Sequence, residues 1–309
     1  MKGLVSVILP NYNHGRFLAE RINSVLEQDY QALELILLDD HSADDSREIL
    51  ERYRGNPRVS ELCYNDSNSG SPFFQWKKGI EKARGEYIWI AESDDVARRE
   101  LLSELVQALE ADAANVVAFC ESTSDYDEFC RPERPRQAPV QSYPGADFLR
   151  SRMLNTPAIK NASAVVFRRA AATPAVLNEV LNYTYAGDWL FWCCLLMRGN
   201  VVKSGRVLNF FRRHPASVSR QADQAGLFVR EGLWVLGYLK AELHVPVPAH
   251  AVRVWGSVWA QYYVHLRKQQ HGLFRSNLRA ARRVSPFLMP WFCLYLLKFS
   301  FFSPLNIPK

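Results

Sequence analysis

Acidic residues are missing from the last part of the chain. After Glu242 the sequence holds no Asp or Glu, while nine Lys and Arg residues follow. The formal net charge of the whole chain is +6, so its first 242 residues are net −3. An acid-free, basic end is typical of a segment that meets an anionic surface, whereas the first part has the charge of an ordinary soluble enzyme. We expect no nucleic-acid partner.

Other absences exclude further classes of protein. No basic segment followed by a long apolar run opens the sequence, so no secretory signal is predicted and we expect a cytoplasmic location. The 6 cysteines show no Cys-x-x-Cys or zinc-type spacing, which indicates buried thiols in a reducing compartment. At 309 residues and 48% hydrophobic composition, the chain can form one large domain or two smaller ones.

Glycine-rich phosphate loops are also absent. The segment after the first apolar stretch, residues 10–15, holds one glycine, Gly15, whereas a dinucleotide-binding turn needs three. The loop of the nucleoside triphosphatases is missing too. If a nucleotide diphosphate binds this chain, we expect a metal rather than a backbone nest to meet its charge.

The first 121 residues alternate between strand-like and helix-like patterns. The predicted strands are 4–9, 33–38, 59–64, 87–91 and 116–120, and the predicted helices are 16–28, 45–53, 73–83 and 99–111. Such alternation predicts an α/β fold, a mostly parallel sheet flanked by helices. Pro10 is expected to end the first strand, and 122–140 to form a loop. Further strands are predicted at 162–167, 201–203 and 207–211.

The strand at 87–91 runs directly into three acids, Glu92, Asp94 and Asp95. Ligands of open α/β sheets bind at the carboxyl ends of the strands, which is where these acids would stand. Clustered carboxylates repel one another unless a cation or hydrogen-bond donors offset their charge, and oxygen ligands suit Mg²⁺ or Mn²⁺. The alternative is that these residues only cap the next helix. Polar loops after the three preceding strands lead to the same edge, which favours a ligand site.

Four motifs carry a family resemblance. Residues 5–13, 24–28, 35–46 and 83–95 resemble, in order, the motifs of family 2 glycosyltransferases of the inverting GT-A fold. The resemblance covers about 5–219. It implies a GT-A-like catalytic domain over 1–220 and a nucleotide-sugar donor, with uridine diphosphate (UDP) favoured. The tail is not covered by the resemblance, and its own pattern of basic and apolar residues predicts a basic helical extension over 221–309.

The resemblance also implies residue roles. Pro10 and Tyr12 would flank the base, Asp40 would accept its hydrogen bonds, and Asp95 would ligate the metal that bridges the diphosphate. The full set of implied donor-binding residues is Pro10, Asn11, Tyr12, Asp39, Asp40, Asp94, Lys77 and Arg213, and the implied ligands of Mn²⁺ or Mg²⁺ are Asp95, Asp94 and His214.

Several of these roles have plain structural alternatives. Glu92 replaces the first Asp of the family's Asp-x-Asp signature, so its part in metal binding is open. Lys77 would contact the diphosphate or lie on a solvated helix face, and His214 would ligate the metal or serve as a surface residue.

Asp188 is the implied catalytic base. It stands at the start of an apolar helix, where an N-cap is the structural alternative. Inverting transfer is a direct displacement, so a carboxylate must take the proton of the acceptor hydroxyl while a metal stabilises the leaving diphosphate. Trp189 and Trp192 are candidates for an aromatic platform under a sugar ring.

The C-terminal extension carries a second pattern. Arg275, Arg279, Arg282 and Arg283 share one helical face, and the apolar run 287–297 follows. About 11 apolar residues are too few for a spanning helix, which needs ~20, so a helix at the membrane interface is predicted. A helix packed on the catalytic domain and a dimer contact are the alternatives.

These patterns together predict an enzyme. We expect a metal-dependent, inverting glycosyltransferase that moves a sugar to a glycan or lipid-linked acceptor in surface polysaccharide assembly, peripherally bound at the inner face of the cytoplasmic membrane. Two rivals are a non-catalytic carbohydrate-binding relative and a sugar nucleotidyltransferase. The intact Asp95 and Asp188 disfavour the first, and the missing glycine-rich loop disfavours the second.

Overall fold

The computed structural model describes residues 3–131, 139–214, 226–265 and 271–302. They divide into two compact units, 1–148 with 159–213 and 149–158 with 214–309. The predicted domain boundary at residue 220 lies outside the described residues.

The first unit holds all the strands found in the described residues. They are β1 (Val5–Asn11), β2 (Leu33–Asp39), β3 (Val59–Tyr64), β4 (Tyr87–Ile90), β5 (Val96–Ala97), β6 (Asn115–Thr123), β7 (Gln141–Pro144), β8 (Val165–Arg168) and β9 (Asn200–Phe210). Its helices are α1 (Gly15–Leu26), α2 (Ser46–Glu51), α3 (Pro72–Lys82), α4 (Leu101–Glu110), α5 (Tyr126–Cys130), α6 (Gly145–Phe148), α7 (Pro174–Glu179) and α8 (Gly187–Leu196).

The strands form one sheet in the order β3-β2-β1-β4-β8-β6-β9-β5, with β7 paired to β9. β1, β2, β3 and β4 are parallel, and β8 runs antiparallel to both β4 and β6. Every residue of β1, β2 and β4 is buried, as expected for strands covered by helices on both faces. The predicted α/β fold is confirmed, and the carboxyl ends of these three strands share one edge.

Three details of the sequence-based prediction were wrong. Pro10 does not end β1, which continues to Asn11. β4 pairs with β1 only as far as Ile8, so the missing N–H of Pro10 costs no hydrogen bond with β4. The two strands expected after Asn200 are one strand, β9, whose register against β6 shifts three times. Within the expected loop 122–140, the described part contains α5.

A buried glutamate sets the start of β4. Glu34, 5% exposed on β2, accepts hydrogen bonds from the Ser6 hydroxyl at 2.6 Å, the Arg84 backbone N–H at 2.8 Å and the Arg84 guanidinium at 2.6 and 2.8 Å. The Gly85 N–H donates to the Ser6 hydroxyl at 2.8 Å. A Cβ on Gly85 would lie 2.6 Å from the Leu4 carbonyl oxygen, so glycine is required there. These contacts fix β4 against β1 and β2.

The second unit is helical. Its helices are α9 (Leu227–Ala241), α10 (Ala249–His265), α11 (His271–Val284) and α12 (Leu288–Phe302), which confirms the predicted helical C-terminal region. Trp255 and Trp259 of α10 are fully buried, and the Trp255 indole N–H donates to the Leu154 carbonyl at 2.9 Å. No helix among the described residues is both long and apolar enough to cross a membrane.

Replacing Glu34 with glutamine should lower the free energy of unfolding at pH 7 by about 1–3 kcal/mol, because buried donors lose a charged acceptor. Burial raises the pKa of Glu34, but the hydrogen bonds from Ser6 and Arg84 outweigh it and leave the pKa below its usual value. The stabilisation is therefore complete above the ordinary pKa of glutamate and is lost as the pH falls through the lower folded-state value.

Urea unfolding at pH 7 and pH 3 measures this effect, with Glu27→Gln, which is exposed just after α1, as the control. The difference between wild type and Glu34→Gln should shrink at pH 3. An equal difference at both pH values would refute the assignment.

Candidate active site

The carboxyl ends of β1 and β2 are tied together by side chains. Asn11 donates from Nδ2 to the Asp39 carboxylate at 2.8 Å, and the Ser42 hydroxyl donates to the same carboxylate at 2.6 Å. The Asn13 N–H donates to the Ser42 hydroxyl at 2.9 Å. Tyr12 lies between these anchored residues and is 47% exposed. The predicted donor residues of this loop are thus brought together around one exposed aromatic ring.

Asp40 is buried and binds the loop that follows β3 through hydrogen bonds. It is 4% exposed, and its carboxylate accepts hydrogen bonds from Asn65 at 2.6 Å, Ser69 at 2.7 Å, Gln75 at 2.8 Å and Asn68 at 3.2 Å. The Ser69 N–H adds further bonds to the same oxygens. The acceptor capacity of the carboxylate is therefore taken up by the protein, which holds the loop after β3 against the start of α3.

Asp95 is buried in the same way. It is 1% exposed, and its carboxylate accepts from the Arg212 backbone N–H at 3.1 Å and from Asn161 Nδ2 at 2.9 Å, with a further hydrogen bond to Ser163. Burial and the charge of Asp94 raise the pKa of Asp95 to about 7, although Arg21 and the hydrogen bonds oppose the rise. Asp95 joins the ends of β4 and β9 to the segment before β8.

Arg212 anchors the backbone of the acid signature at Asp94. Its Nε donates to the Asp94 carbonyl at 2.9 Å, and its Nη2 forms an ion pair with Glu20 at 2.6 Å. Its guanidinium carbon lies 4.7 Å from the Phe17 ring centroid and 5.2 Å from that of Phe210. A guanidinium held by two aromatic rings, a carboxylate and a carbonyl is fixed in place, and it fixes the backbone of Asp94.

Arg21 lies beneath the acids with no exposed surface. Its guanidinium carbon is 4.8 Å from the Trp89 ring centroid, and its three nitrogens have no hydrogen-bond partner among the described residues. Burial lowers the pKa of Arg21 to about 10, while the charges of Asp95, Asp94 and Glu92 raise it. An arginine stays charged at such a pKa, so a fixed positive charge lies under the signature.

Glu92 and Asp94 are the less buried acids of the signature. Glu92 accepts a hydrogen bond from the Trp76 indole N–H at 2.9 Å, and burial together with the charge of Asp94 raises the pKa of Glu92 to about 8. A carboxylate oxygen of Asp94 and a ring nitrogen of His14 lie within 4.8 Å of each other. His14 Nδ1 is 2.8 Å from the Ser93 hydroxyl, which orients the ring.

Asp188 lies in the first turn of α8, half-buried, and its carboxylate accepts the Trp189 N–H at 2.7 Å. α8 packs tightly here, since a Cβ on Gly187 would lie 2.5 Å from the Phe73 ring. Trp189 and Trp192 are 2% and 0% exposed, so the expected aromatic platform for a sugar is wrong.

Three predicted residues remain, Lys77, Arg213 and His214. Lys77 donates to Asn178 at 2.8 Å and pairs with Glu81 at 3.7 Å on the surface of α3. Arg213 is exposed at the end of the first unit, and His214 is buried in the second. Their predicted roles stay predictions.

Sequence reasoning missed Arg21, Arg212, Asn161 and Ser163. Arg21 carried a weak signal, because it is a charged residue beside Leu18, Ile22 and Val25 on the apolar face of α1. The other three become relevant only through contacts between distant parts of the chain.

Residues 6–173 match the family model "Glycosyl transferase family 2", which is more than half of the chain. The chain belongs to this family. The glycosyltransferase GlyG of Streptococcus pneumoniae is 35% identical over 117 residues, which cover 38% of each protein. The poly(ribitol-phosphate) β-N-acetylglucosaminyltransferase TarS of Staphylococcus aureus is 32% identical over 116 residues, which cover 36% of this chain and 20% of TarS. The match therefore spans well under half the length of either relative.

Solved structures extend the likeness to the fold. The S. aureus TarS 1–349 complex with UDP-GlcNAc superposes with a TM-score of 0.66 at 18% identity, over 96% of this chain and 89% of that one. The mannosyltransferase PcManGT of Pyrobaculum calidifontis, solved with GDP-Man and Mn²⁺, gives 0.60 at 15% identity, over 96% and 84%. The GT-A fold of this family 2 glycosyltransferase is thereby confirmed.

The acid signature of this family 2 glycosyltransferase fits a divalent metal. Burial and, after it, repulsion from the neighbouring carboxylates raise the pKa values of Glu92 and Asp95. A cation would relieve this repulsion, and the oxygen of Asp94 with the nitrogen of His14 are donors that Mn²⁺ accepts.

Glu92→Gln should reduce the change in the free energy of unfolding with pH when no divalent metal is present. The folded-state pKa of Glu92 is about 8, so the folded protein keeps the Glu92 proton up to about that pH. The unfolded chain already loses this proton above the ordinary pKa of glutamate. The free energy of unfolding therefore falls as the pH rises from 5 to 8. Glutamine can still accept the Trp76 hydrogen bond, and it should remove on the order of 1–3 kcal/mol of that fall.

Urea unfolding in EDTA at pH 5 and pH 8 provides the measurement, and Glu81→Gln on the exposed side of α3 is the control. If the free energy of unfolding changed equally between pH 5 and pH 8 in wild type and Glu92→Gln, Glu92 would not carry a proton in the folded state.

Proposed function

We propose that this family 2 glycosyltransferase transfers a sugar, with inversion, from a UDP-sugar to a glycan or lipid-linked acceptor with the help of Mn²⁺ or Mg²⁺. The observation that carries the proposal is the acid cluster at the end of β4, where one half-buried carboxylate, Asp94, stands beside His14 above a buried positive charge.

The geometry favours a new division of roles between Asp94 and Asp95. Both oxygens of Asp95 accept hydrogen bonds inside the protein, and the residue is 1% exposed. Asp94 is more exposed, and its backbone is fixed by Arg212. We therefore propose Asp94 as the metal ligand and Asp95 as the residue that positions it, instead of the direct ligand role predicted for Asp95.

The donor base fits beside Tyr12. Its exposed ring follows Pro10 and Asn11 and can stack on a base. Asp39 and Asp40 are committed to internal hydrogen bonds, so in this proposal they hold the two loops and do not themselves bind the base. UDP-GlcNAc in the TarS complex supports uridine, while GDP-Man in PcManGT makes guanosine the competing outcome.

The proposed reaction is a direct displacement, which needs a general base and a group that stabilises the leaving diphosphate. A bound metal would stabilise charge on the leaving diphosphate. Asp188 takes the proton of the acceptor hydroxyl as its oxygen forms the new bond to the anomeric carbon and the bond to the diphosphate oxygen breaks. The products are the glycosylated acceptor with inverted configuration, the nucleoside diphosphate and a protonated Asp188.

The acceptor belongs to surface polysaccharide assembly in this proposal. Relatives are named for poly(ribitol-phosphate), teichuronic acid and an undecaprenol-diphosphate-linked glycan. A lipid-linked acceptor would place the enzyme peripherally at the inner face of the cytoplasmic membrane, which agrees with the acid-free C-terminal part.

Thermal unfolding with uridine, deoxythymidine, guanosine and cytidine diphosphates, each with and without Mn²⁺, tests the donor site. Selective binding adds about 2.7 kcal/mol of stability at a ligand concentration 100 times its Kd. We expect UDP to stabilise wild type only with Mn²⁺, and Asp94→Asn to abolish that stabilisation.

The control is Asp112→Asn, on the exposed turn before β6, which should behave as wild type. No shift with any diphosphate would remove the donor-site proposal. A shift that needs no metal and survives Asp94→Asn would overturn the role of Asp94.

Asp188→Asn should lower turnover by about 10²- to 10⁴-fold while leaving the UDP–Mn²⁺ shift intact, because a general base acts on the acceptor and not on the donor. UDP release from UDP-sugars in the presence of prenyl-diphosphate-linked sugars measures turnover. An unchanged rate would exclude Asp188 as the base and favour the non-catalytic alternative.

A further inference from the structure

The outer face of α12 is apolar, the reverse of a normal surface helix. Leu288 and Phe292 are buried, while Leu294 and Leu297 are 55% and 60% exposed, and Phe287, just before the helix, is 69% exposed. Among residues 288–299, the exposed positions are Pro290, Cys293, Leu294, Leu297 and Lys298, with one charge among them. A surface helix in water normally places charged residues on this face.

The orientation of α12 is fixed by close packing on α10. A Cβ on Gly256 would lie 2.6 Å from the Trp291 Cβ, so the two helices touch at this glycine. The Phe292 ring centroid lies 4.2 Å from that of Trp259. Leu294 and Leu297 cannot turn inward while these contacts hold, so their exposure is a property of the fold.

Aromatic rings line the flank of the same helix. Trp291, Tyr295 and Phe299 follow one another at four-residue spacing, with ring centroids 6.1 and 5.9 Å apart, and all three are partly exposed. Rings of this type, set beside an exposed aliphatic stripe, suit the boundary between lipid head groups and acyl chains.

The preceding helix supplies the charge. α11 exposes Arg275, Arg279, Arg282 and Arg283, whose spacing places them on one face, and buries Ala280, Ala281 and Val284 on the other. Lys240 donates to the Val284 carbonyl at 2.8 Å and so holds the end of α11 near the turn that leads to Phe287. Basic and apolar surfaces therefore follow each other directly along the chain.

The charge balance selects the partner. A second copy of the chain would present the same acid-free, basic segment, so two such surfaces would repel each other. An anionic lipid surface attracts the arginines and accepts the leucines together. No described helix is long and apolar enough to cross a membrane, so α12 would lie in the plane of the interface.

We propose that Phe287, Leu294 and Leu297 insert into an anionic lipid surface while Arg275, Arg279, Arg282 and Arg283 contact its head groups. This surface deepens the proposed function, since it would hold the enzyme where a lipid-linked acceptor resides. It depends on residues of the second unit alone.

Sedimentation of the full chain with vesicles of 30% phosphatidylglycerol in phosphatidylcholine tests the proposal, with pure phosphatidylcholine vesicles in parallel. We expect binding to the anionic vesicles and a loss on the order of tenfold or more for Leu294→Ser/Leu297→Ser. The control Val140→Ser, which removes an exposed apolar side chain of the first unit, should bind as wild type.

Arg279→Gln/Arg283→Gln should weaken binding about 30-fold at physiological salt, which is the effect of two charges at about 1 kcal/mol each. Arg52→Gln/Arg54→Gln removes two exposed arginines of the first unit and serves as the matched control. An equal loss of vesicle binding in the two double variants would show that only the net charge matters, which would overturn the assigned surface.

Failure of wild type to sediment with anionic vesicles would also overturn the proposal. The same holds if wild type is a dimer in solution and Leu294→Ser/Leu297→Ser is a monomer. The thermal shift with UDP and Mn²⁺ requires no vesicles. It therefore reports on the proposed donor site independently of this result.

Discussion

The buried carboxylate of Asp95 is the contact on which the site depends. It accepts from Arg212 at the end of β9 and from Asn161 before β8, while its own backbone follows β4. Three chain segments far apart in sequence are thereby fixed to one side chain. Their junction determines where the neighbouring Asp94 stands, because Arg212 also binds the Asp94 carbonyl. In our proposal, the residue that resembles a metal ligand in the sequence therefore positions its neighbour.

Burying this carboxylate beside two others is costly, and the fold offsets the cost in part. Arg21 brings a positive charge beneath the cluster, yet its own burial lowers its pKa to about 10 and its nitrogens lack hydrogen-bond partners among the described residues. The pKa values of Glu92 and Asp95 stay raised in spite of it. A divalent cation would relieve the repulsion that remains, which is the physical reason for proposing a metal at this site.

Sequence patterns were sufficient for the fold and for the cluster of acids at one edge of the sheet. The run from Tyr87 to Ala91 followed by acids predicted a buried strand that ends in carboxylates, and the structure has that arrangement. The patterns could not predict which acid is buried, because Asp94 and Asp95 are chemically identical and differ only through Arg212 and Asn161. Arg21 was missed for a related reason, since burial of a charged residue contradicts the rule by which helix faces are predicted.

The candidate site of the first unit and the helices α11 and α12 of the second unit differ in where they place charged and apolar side chains. The first unit buries charges, Glu34, Asp40, Asp95 and Arg21 among them, and gives each carboxylate a set of donors. The second unit exposes the four arginines of α11 and leaves apolar side chains of α12 exposed after them along the chain. Hydrogen-bonded buried charges hold the acid cluster of the first unit in place, whereas exposed leucines gain stability only when another apolar phase covers them. These contrasts agree with the two proposals, a donor site in the first unit and a lipid-binding surface in the second.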